Sequence, residues 1–186
     1  MSKGRYQRPW FLVSALNVFY ENRLIKSAVD IIIGIQQNSL EGVSFMTVKE
    51  RIAALRAKMK EKKIDAYLVP TDDFHASEYV GEYFKCRKYI TGFTGSAGRA
   101  VIMQDMAGLW TDGRYFIQAA AQLEGTGVEL FKMGEPGVPT VHKFLEEKLG
   151  EGMRLGFDGR TISAKEADEL SEILKKKGAS LQSDYD

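Results

Sequence analysis

The chain has 186 residues, of which 44% are hydrophobic and 27% are charged, and its formal net charge is +1. This composition is that of an ordinary globular protein, and the near-zero net charge gives no reason to expect nucleic acid or an anionic membrane as a partner. The single cysteine, Cys86, excludes an internal disulfide and suits a reducing cytosol, and the two histidines are too few for a histidine-rich metal centre.

The amino-terminal segment, residues 1–45, contains two short apolar runs at positions 10–19 and 31–35. Neither run approaches the ~20 apolar residues that a membrane-crossing helix needs. Two interpretations stay open: Met46 is the natural start and the segment is translated upstream sequence, or the segment is an appendage such as a docking helix. We therefore expect a folded domain over residues 46–186 and an extra segment before it.

A helix is expected at the start of this domain. Thr47 and Glu50 stand three positions apart, in the spacing of a capping box. Three apolar residues recur at helical spacing along the predicted helix: Ile52, Leu55 and Met59. The apolar run 66–69 then predicts a buried strand, which Pro70 stops.

Acidic residues and a histidine follow the first predicted strand. One interpretation is a metal site formed by Asp72, Asp73, His75 and Glu78. The other is that Asp72 or Asp73 caps a helix over 74–83, which accounts for the acidic residues without a metal. We therefore predict capping here and no metal site.

A glycine-rich stretch lies at the centre of the chain, with three glycines between positions 92 and 98. The apolar runs 100–103 and 109–111 that follow predict a β-hairpin. Asp112 and the glycine after it break the second strand, so that Arg114 comes to the edge of a sheet. The glycine spacing matches neither a dinucleotide fingerprint nor a phosphate-binding P-loop, so the glycines are expected to provide tight turns.

The remaining chain alternates helices and strands. His142, on one of these helices, is expected to lie at the surface or to pack between helices. The alternation argues for an α/β fold in which helices flank a mixed β-sheet, and we find no internal repeat. Helices are predicted over 115–123, over 141–149 and from Ser163, with Glu166 as its capping partner, to about 177; strands are predicted over 128–133, 154–158 and 179–182.

Three motifs carry a resemblance to a known family. They are Tyr-Leu-Val-Pro-Thr-Asp-Asp-Phe-His-Ala-Ser-Glu-Tyr-Val at 67–80, Thr-Gly-Phe-Thr-Gly-Ser-Ala-Gly at 91–98 and Trp-Thr-Asp-Gly-Arg-Tyr-Phe at 110–116. Over residues 46–186 the chain resembles the amino-terminal domain of Xaa-Pro aminopeptidases, in the creatinase/prolidase superfamily. The resemblance implies a ribonuclease-H-like mixed sheet flanked by helices.

The resemblance also implies a reaction and its cofactors. Such cytoplasmic hydrolases remove the amino-terminal residue that precedes proline, using two divalent metal ions, usually manganese, in a carboxy-terminal domain. Their metal ligands are two Asp, one His and two Glu, and nothing in residues 1–186 matches that set. We therefore expect a non-catalytic domain that binds no metal or cofactor and is inactive alone. The implied partners are a peptide with proline second, the carboxy-terminal catalytic domain and a second copy in a homodimer.

One functional residue is carried over from the family. In Thr-Asp-Gly-Arg-Tyr-Phe the arginine is implied to bind substrate, and that residue here is Arg114. A structural ion pair with Asp112 is the alternative role. Two alternatives for the chain also stay open: a free-standing module that binds peptides or a partner protein without catalysis, and chemistry like that of creatinase or prolidase.

Overall fold

The structure is a computed structural model that describes residues 46–77 and 79–183. A single mixed sheet runs through these residues, with helices on both of its faces. In chain order the elements are α1 (Val48–Lys62), β1 (Ala66–Pro70), a 3-10 helix (Glu82–Phe84), α2 (Cys86–Thr91), β2 (Arg99–Met103), β3 (Ala107–Thr111), a second 3-10 helix (Gly113–Tyr115), α3 (Phe116–Leu123), β4 (Glu129–Lys132), α4 (Val141–Lys148), β5 (Arg154–Phe157), α5 (Ala164–Lys175) and β6 (Ser180–Ser183).

The order of the strands sets where the loops meet. Among the described residues the sheet has six strands in the order β4-β3-β2-β1-β5-β6. β2 is antiparallel to both of its neighbours, and the other pairings are parallel. Five strands therefore end at one edge of the sheet, which we call the carboxyl edge, and β2 begins there. The predicted mixed sheet is confirmed.

The first helix forms as its sequence predicts. Glu50 N donates to Thr47 Oγ1 at 3.3 Å, and Thr47 N donates to the Glu50 carboxylate at 2.7 Å, which completes the capping box. The helix ends at Lys63, whose φ of 57° is left-handed. It buries the three residues predicted from their spacing, Ile52, Leu55 and Met59.

Two hydrophobic cores lie on the two faces of the sheet. The alternation of side chains along β1 sends Tyr67 and Val69 to the core under α1, α2 and α3, and sends Leu68 to the core under α4 and α5. Trp110 is wholly buried in the second core and stacks on Phe131 with ring centroids 4.0 Å apart. The central strands β1, β2, β3 and β5 are almost wholly buried, which fixes their ends and with them the loops at the carboxyl edge.

The helix predicted over 74–83 is wrong. The Asp73 carboxylate accepts hydrogen bonds from His75 N at 2.9 Å and from Ser77 N at 3.1 Å, which closes a tight turn. Ala76 then takes a φ of 54°, which a right-handed helix cannot accommodate. Residues 79–81 are not helical either, and they are followed by the first 3-10 helix and by α2, which the sequence did not predict.

No helix in residues 46–77 and 79–183 combines the length and the apolar character needed to span a membrane. The extra segment predicted over residues 1–45 lies outside the described residues.

Candidate functional site

A cleft of about 400 Å³ opens at the carboxyl edge, between the loops that follow β1 and β3. Polar and charged side chains from both loops and from the start of β2 line it, and we call it the strand-end cleft. Its lining includes Thr71, Asp72, Ser96, Arg99, Asp112 and Arg114. Clefts at strand ends are a common place for binding sites in α/β folds, because loops from separate strands converge there.

Arg114 lies at this cleft because of an Asp-Gly turn at the end of β3. Asp112 Oδ1 accepts from Arg114 N at 3.0 Å and from its Nε at 2.9 Å, and Oδ2 accepts from a terminal nitrogen at 2.8 Å. The Arg114 side chain is nevertheless 71% exposed. The hydrogen bond from Arg114 lowers the pKa of the Asp112 carboxyl. The ion pair named as the alternative role is therefore present, and it holds an exposed guanidinium at the cleft.

The glycine-rich turn beside the cleft is held by a buried arginine. Arg87 is only 3% exposed, and its guanidinium donates to Thr71 Oγ1 at 2.7 Å, to the Phe93 carbonyl at 2.7 Å and to the Gly95 carbonyl. Burial lowers the pKa of Arg87 to about 10. The turn also needs its glycine, since a Cβ on Gly95 would lie 2.3 Å from the Phe93 ring. The glycines provide a tight turn, as predicted, whereas the role of Arg87 was missed.

A cluster of four charged or titratable side chains adjoins the cleft, and two of them, Asp72 and Arg99, line it. Arg99 pairs through both terminal nitrogens with the Glu166 carboxylate, one of them at 3.0 Å, and lies 4.0 Å from Asp72. His142 Nε2 lies 3.2 Å from the same carboxylate. The hydrogen bonds from His142 and Arg99 lower the pKa of Glu166 to about 2, whereas burial raises the pKa of Asp72. The cluster ties α4 and α5 to the start of β2.

This cluster changes the role predicted for one residue, Glu166. Ser163 caps α5 as predicted, because its Oγ accepts from Glu166 N at 3.2 Å. The Glu166 carboxylate does not complete a capping box and reaches Arg99 instead. His142 packs between helices, which is one of the two roles expected for it, and makes the contact with Glu166.

A second Asp-Gly-Arg turn follows β5 and was missed in the sequence analysis. Asp158 Oδ1 accepts from Arg160 N and from its Nε, both at 3.0 Å, and Oδ2 accepts from a terminal nitrogen at 2.8 Å. The other terminal nitrogen donates to the Tyr83 hydroxyl at 2.8 Å. The three residues Asp-Gly-Arg at 158–160 repeat those at 112–114, and this repetition in the sequence was the signal that could have found the turn.

In the acidic loop after β1, Asp73 closes a tight turn. Its carboxylate accepts the two backbone hydrogen bonds described above, whereas the capping interpretation expected such bonds at the start of a helix, which does not form there. Within the part of the chain that the structure describes, no three His, Cys, Asp or Glu side chains are grouped so that they could hold a metal ion. Glu78, the fourth residue of that interpretation, lies outside the described residues.

The comparison with protein families gives the family of the chain. The model of the Creatinase/Prolidase N-terminal domain matches residues 51–183. The chain belongs to this family, which confirms the resemblance predicted from its motifs.

Similar proteins include peptidases that are several times longer. The chain is 44% identical over 138 residues to "Aminopeptidase P2" of Arabidopsis thaliana, a match that covers 73% of this chain and 19% of that protein. It is 47% identical over 128 residues to "Probable Xaa-Pro aminopeptidase P" of Pyrenophora teres f. teres, covering 69% of this chain and 19% of that protein. The chain thus spans only a small part of the curated relatives that it matches.

Solved structures share the fold. X-prolyl aminopeptidase of Caenorhabditis elegans, described as a cytosolic enzyme with a di-nuclear active site, superposes with a TM-score of 0.70 at 34% identity, covering 76% of this chain and 25% of that one. The N-terminal domain of the cytoplasmic peptidase PepQ from Mycobacterium tuberculosis gives a TM-score of 0.52 at 28% identity, covering 73% of this chain and 93% of that domain. The predicted fold class is confirmed.

Proposed function

We propose that this chain is the non-catalytic amino-terminal domain of a dinuclear-metal Xaa-Pro aminopeptidase, which removes the residue that precedes proline. The observation that carries the proposal is the exposed Arg114 at the strand-end cleft, in a chain 44% identical to an aminopeptidase P. The proposal assigns two divalent metal ions, which we expect to be manganese, to a carboxy-terminal domain; among the described residues no group of side chains is fit to hold a metal ion.

The role proposed for Arg114 is to bind and orient the peptide. A guanidinium presents several donors in a planar fork, which suits a peptide carbonyl or a carboxylate. The contacts from Asp112 to Arg114 N and Nε hold this fork close to its own turn. A donor held in place in this way loses little freedom on binding and helps to fix the position of the scissile bond.

The carboxyl edge also has the character of a contact surface. Four large hydrophobic side chains are exposed among the described residues, and all of them lie in segments that follow strand ends at this edge: Phe74, Tyr79, Ile117 and Met133. Exposed apolar patches are typical of interaction sites. We propose that this apolar edge contacts the catalytic domain.

A homodimer through the apolar edge is the competing use. The two uses differ in the oligomeric state of the 186-residue chain, which analytical ultracentrifugation measures. A monomer favours the domain contact, and a dimer that Ile117→Asp dissociates favours the homodimer.

We propose the cytoplasm as the compartment, because the lone Cys86 suits it and the Caenorhabditis elegans neighbour is described as cytosolic.

The test of the substrate role is Arg114→Ala in the peptidase that contains this chain. We expect kcat/KM for an Xaa-Pro peptide to fall by about 10- to 100-fold, since hydrogen bonds from a charged donor contribute roughly 1.5–3 kcal/mol. Metal content should stay unchanged. The control is Arg56→Ala, because Arg56 donates to the Met103 carbonyl at 2.7 Å and so lies at the opposite edge. Unaltered kinetics of Arg114→Ala would reject the substrate role.

The second candidate is a free-standing module that binds peptides without catalysis. An open cleft in residues that offer no metal site favours it. A reading frame that continues beyond Asp186 with two Asp, one His and two Glu ligands supports the enzyme, and a stop codon there supports the module.

A further inference from the structure

Arg160 is held by more partners than its own turn provides. Besides its pair with Asp158, it donates to the Tyr83 hydroxyl at 2.8 Å. Its guanidinium carbon also lies 5.2 Å from the centroid of the Tyr83 ring and 5.9 Å from that of Phe84. These distances are within the range of cation–π attraction. One arginine thus fixes two neighbouring aromatic rings of the 3-10 helix.

Those rings support the loop that follows β1. Phe84 packs edge-on against Phe74, with ring centroids 5.4 Å apart, and the ring centroids of Phe74 and His75 are 4.1 Å apart. Aromatic contacts of this kind contribute about 0.5–1.5 kcal/mol each beyond their burial. A continuous series of contacts therefore runs from Arg160 to the loop.

The next part of this loop, residues 76 and 77, lines the strand-end cleft. Ala76 and Ser77, the next residues along the chain, line the cleft together with Arg114. Ala76 has a φ of 54°, a conformation that costs free energy in a residue with a Cβ and persists only where the surroundings hold it. The Asp73 turn holds the backbone side of the loop, and the aromatic contacts hold its outer side.

We infer that Arg160 is a positioning residue for the proposed substrate site: through Tyr83 and Phe84 it fixes the loop that faces Arg114 across the strand-end cleft. This inference rests on the proposed function. The hydrogen-bond, ion-pair and ring partners of Arg160 are Asp158, Tyr83 and Phe84, and none of them lines the cleft, so its effect on the peptide is transmitted by the aromatic rings. The width of the cleft, and with it the affinity for peptide, should depend on the second Asp-Gly-Arg turn.

The first test uses NMR of the 186-residue chain. In Arg160→Met the ring protons of Phe74 and His75 should shift toward their unfolded-chain positions, while amide resonances of α1 stay in place. Tyr83→Phe, which removes one hydroxyl and keeps both rings, should give a smaller shift in the same direction. Arg154→Met is the matched control, since Arg154 lies at the other end of β5 and donates to Gln182. Unmoved Phe74 and His75 signals in both Arg160→Met and Tyr83→Phe would overturn the inference.

The second test uses kinetics of the peptidase that contains the chain. Arg160→Met should raise KM by roughly threefold to tenfold at nearly unchanged kcat, because it disturbs binding rather than the amount of active enzyme. A purely structural role would instead lower kcat through loss of folded protein. Arg160→Lys, which keeps the charge but loses the fork, should fall between wild type and Arg160→Met. Unchanged KM in both variants would contradict the inference.

A double-mutant cycle separates this inference from the proposed function. The KM effect of Arg160→Met should largely vanish in an Arg114→Ala background, because residues that act on one site are not additive. Additive effects would show that Arg160 acts elsewhere and would overturn the inference alone. If Arg114→Ala itself leaves kcat/KM unchanged, the proposed function fails and this inference fails with it.

Discussion

The two Asp-Gly-Arg turns have the same local chemistry and different surroundings. In each, the aspartate accepts from the backbone and side chain of an arginine two positions later. Arg114 is 71% exposed, whereas Arg160 is 37% exposed and its Asp158 side chain only 11%. The turn at the end of β3 therefore presents its cation to solvent, and the turn at the end of β5 uses its cation to hold other side chains.

The difference shows that a short motif does not fix the role of its arginine. Both turns follow parallel strands and both reach the carboxyl edge, because the sheet ends these strands on the same side. Only the second turn meets the Tyr83 hydroxyl. What lies within hydrogen-bonding reach of the guanidinium decides whether it stabilises the fold or remains accessible to a ligand.

The largest expected effect comes from removing the buried aspartate. Asp158→Ala should lower the free energy of unfolding by about 3 kcal/mol, because it leaves a partly buried guanidinium without its carboxylate. Asp112→Ala should lower it by less than about 1 kcal/mol, since exposed ion pairs contribute little. Urea denaturation of the two variants measures both values. Equal losses would mean that the two turns are energetically equivalent, contrary to this account.

The second prediction concerns the cluster between the two turns. The pKa of Glu166 is about 2 in the folded protein and 4.5 ordinarily, so between these values the unfolded chain binds a proton that the folded chain does not. Stability from this group is therefore complete above pH 4.5 and is lost as the pH falls toward 2, by on the order of 2 kcal/mol. Glu166→Gln should flatten the stability curve in this window. The exposed Glu147→Gln serves as control, and equal curves for the two variants would contradict the prediction.

The smallest effects should come from the tyrosine beside each arginine. Tyr83→Phe removes the hydroxyl that Arg160 uses and should cost about 1 kcal/mol. Tyr115→Phe removes a hydroxyl that lies 2.7 Å from the exposed Ser96 Oγ and should cost less than about 0.5 kcal/mol. Thermal or urea denaturation measures the difference. A greater loss for Tyr115→Phe would reverse the proposed ranking of the two turns.

Local signals in the sequence predicted much of the fold. The capping pair of Thr47 and Glu50 predicted α1, and the apolar runs around Asp105 predicted the β2–β3 hairpin, because these structures depend on neighbouring residues. The same reasoning failed at the loop after β1. There Asp73 has the chemistry of a helix cap but closes a tight turn, and the capping pattern does not distinguish the two.

The candidate site was predictable only in part. Arg114 was found through the family resemblance, and its Asp112 partner through their closeness in sequence. The contacts of Arg160 with Tyr83 and of Arg99 with Glu166 join residues 77 and 67 positions apart, which a single sequence does not bring together. Long-range packing of the sheet creates these contacts, so only the folded structure, and not the sequence, identifies them.

We propose that the exposed turn at Arg114 binds the substrate, whereas the buried turn at Arg160 stabilises the surrounding loops. The most direct measurement is kcat/KM for an Xaa-Pro peptide in Arg114→Ala of the containing peptidase, with metal content determined on the same sample. The account predicts a loss of about tenfold or more at full metal occupancy. Wild-type kcat/KM at the same metal content would contradict it.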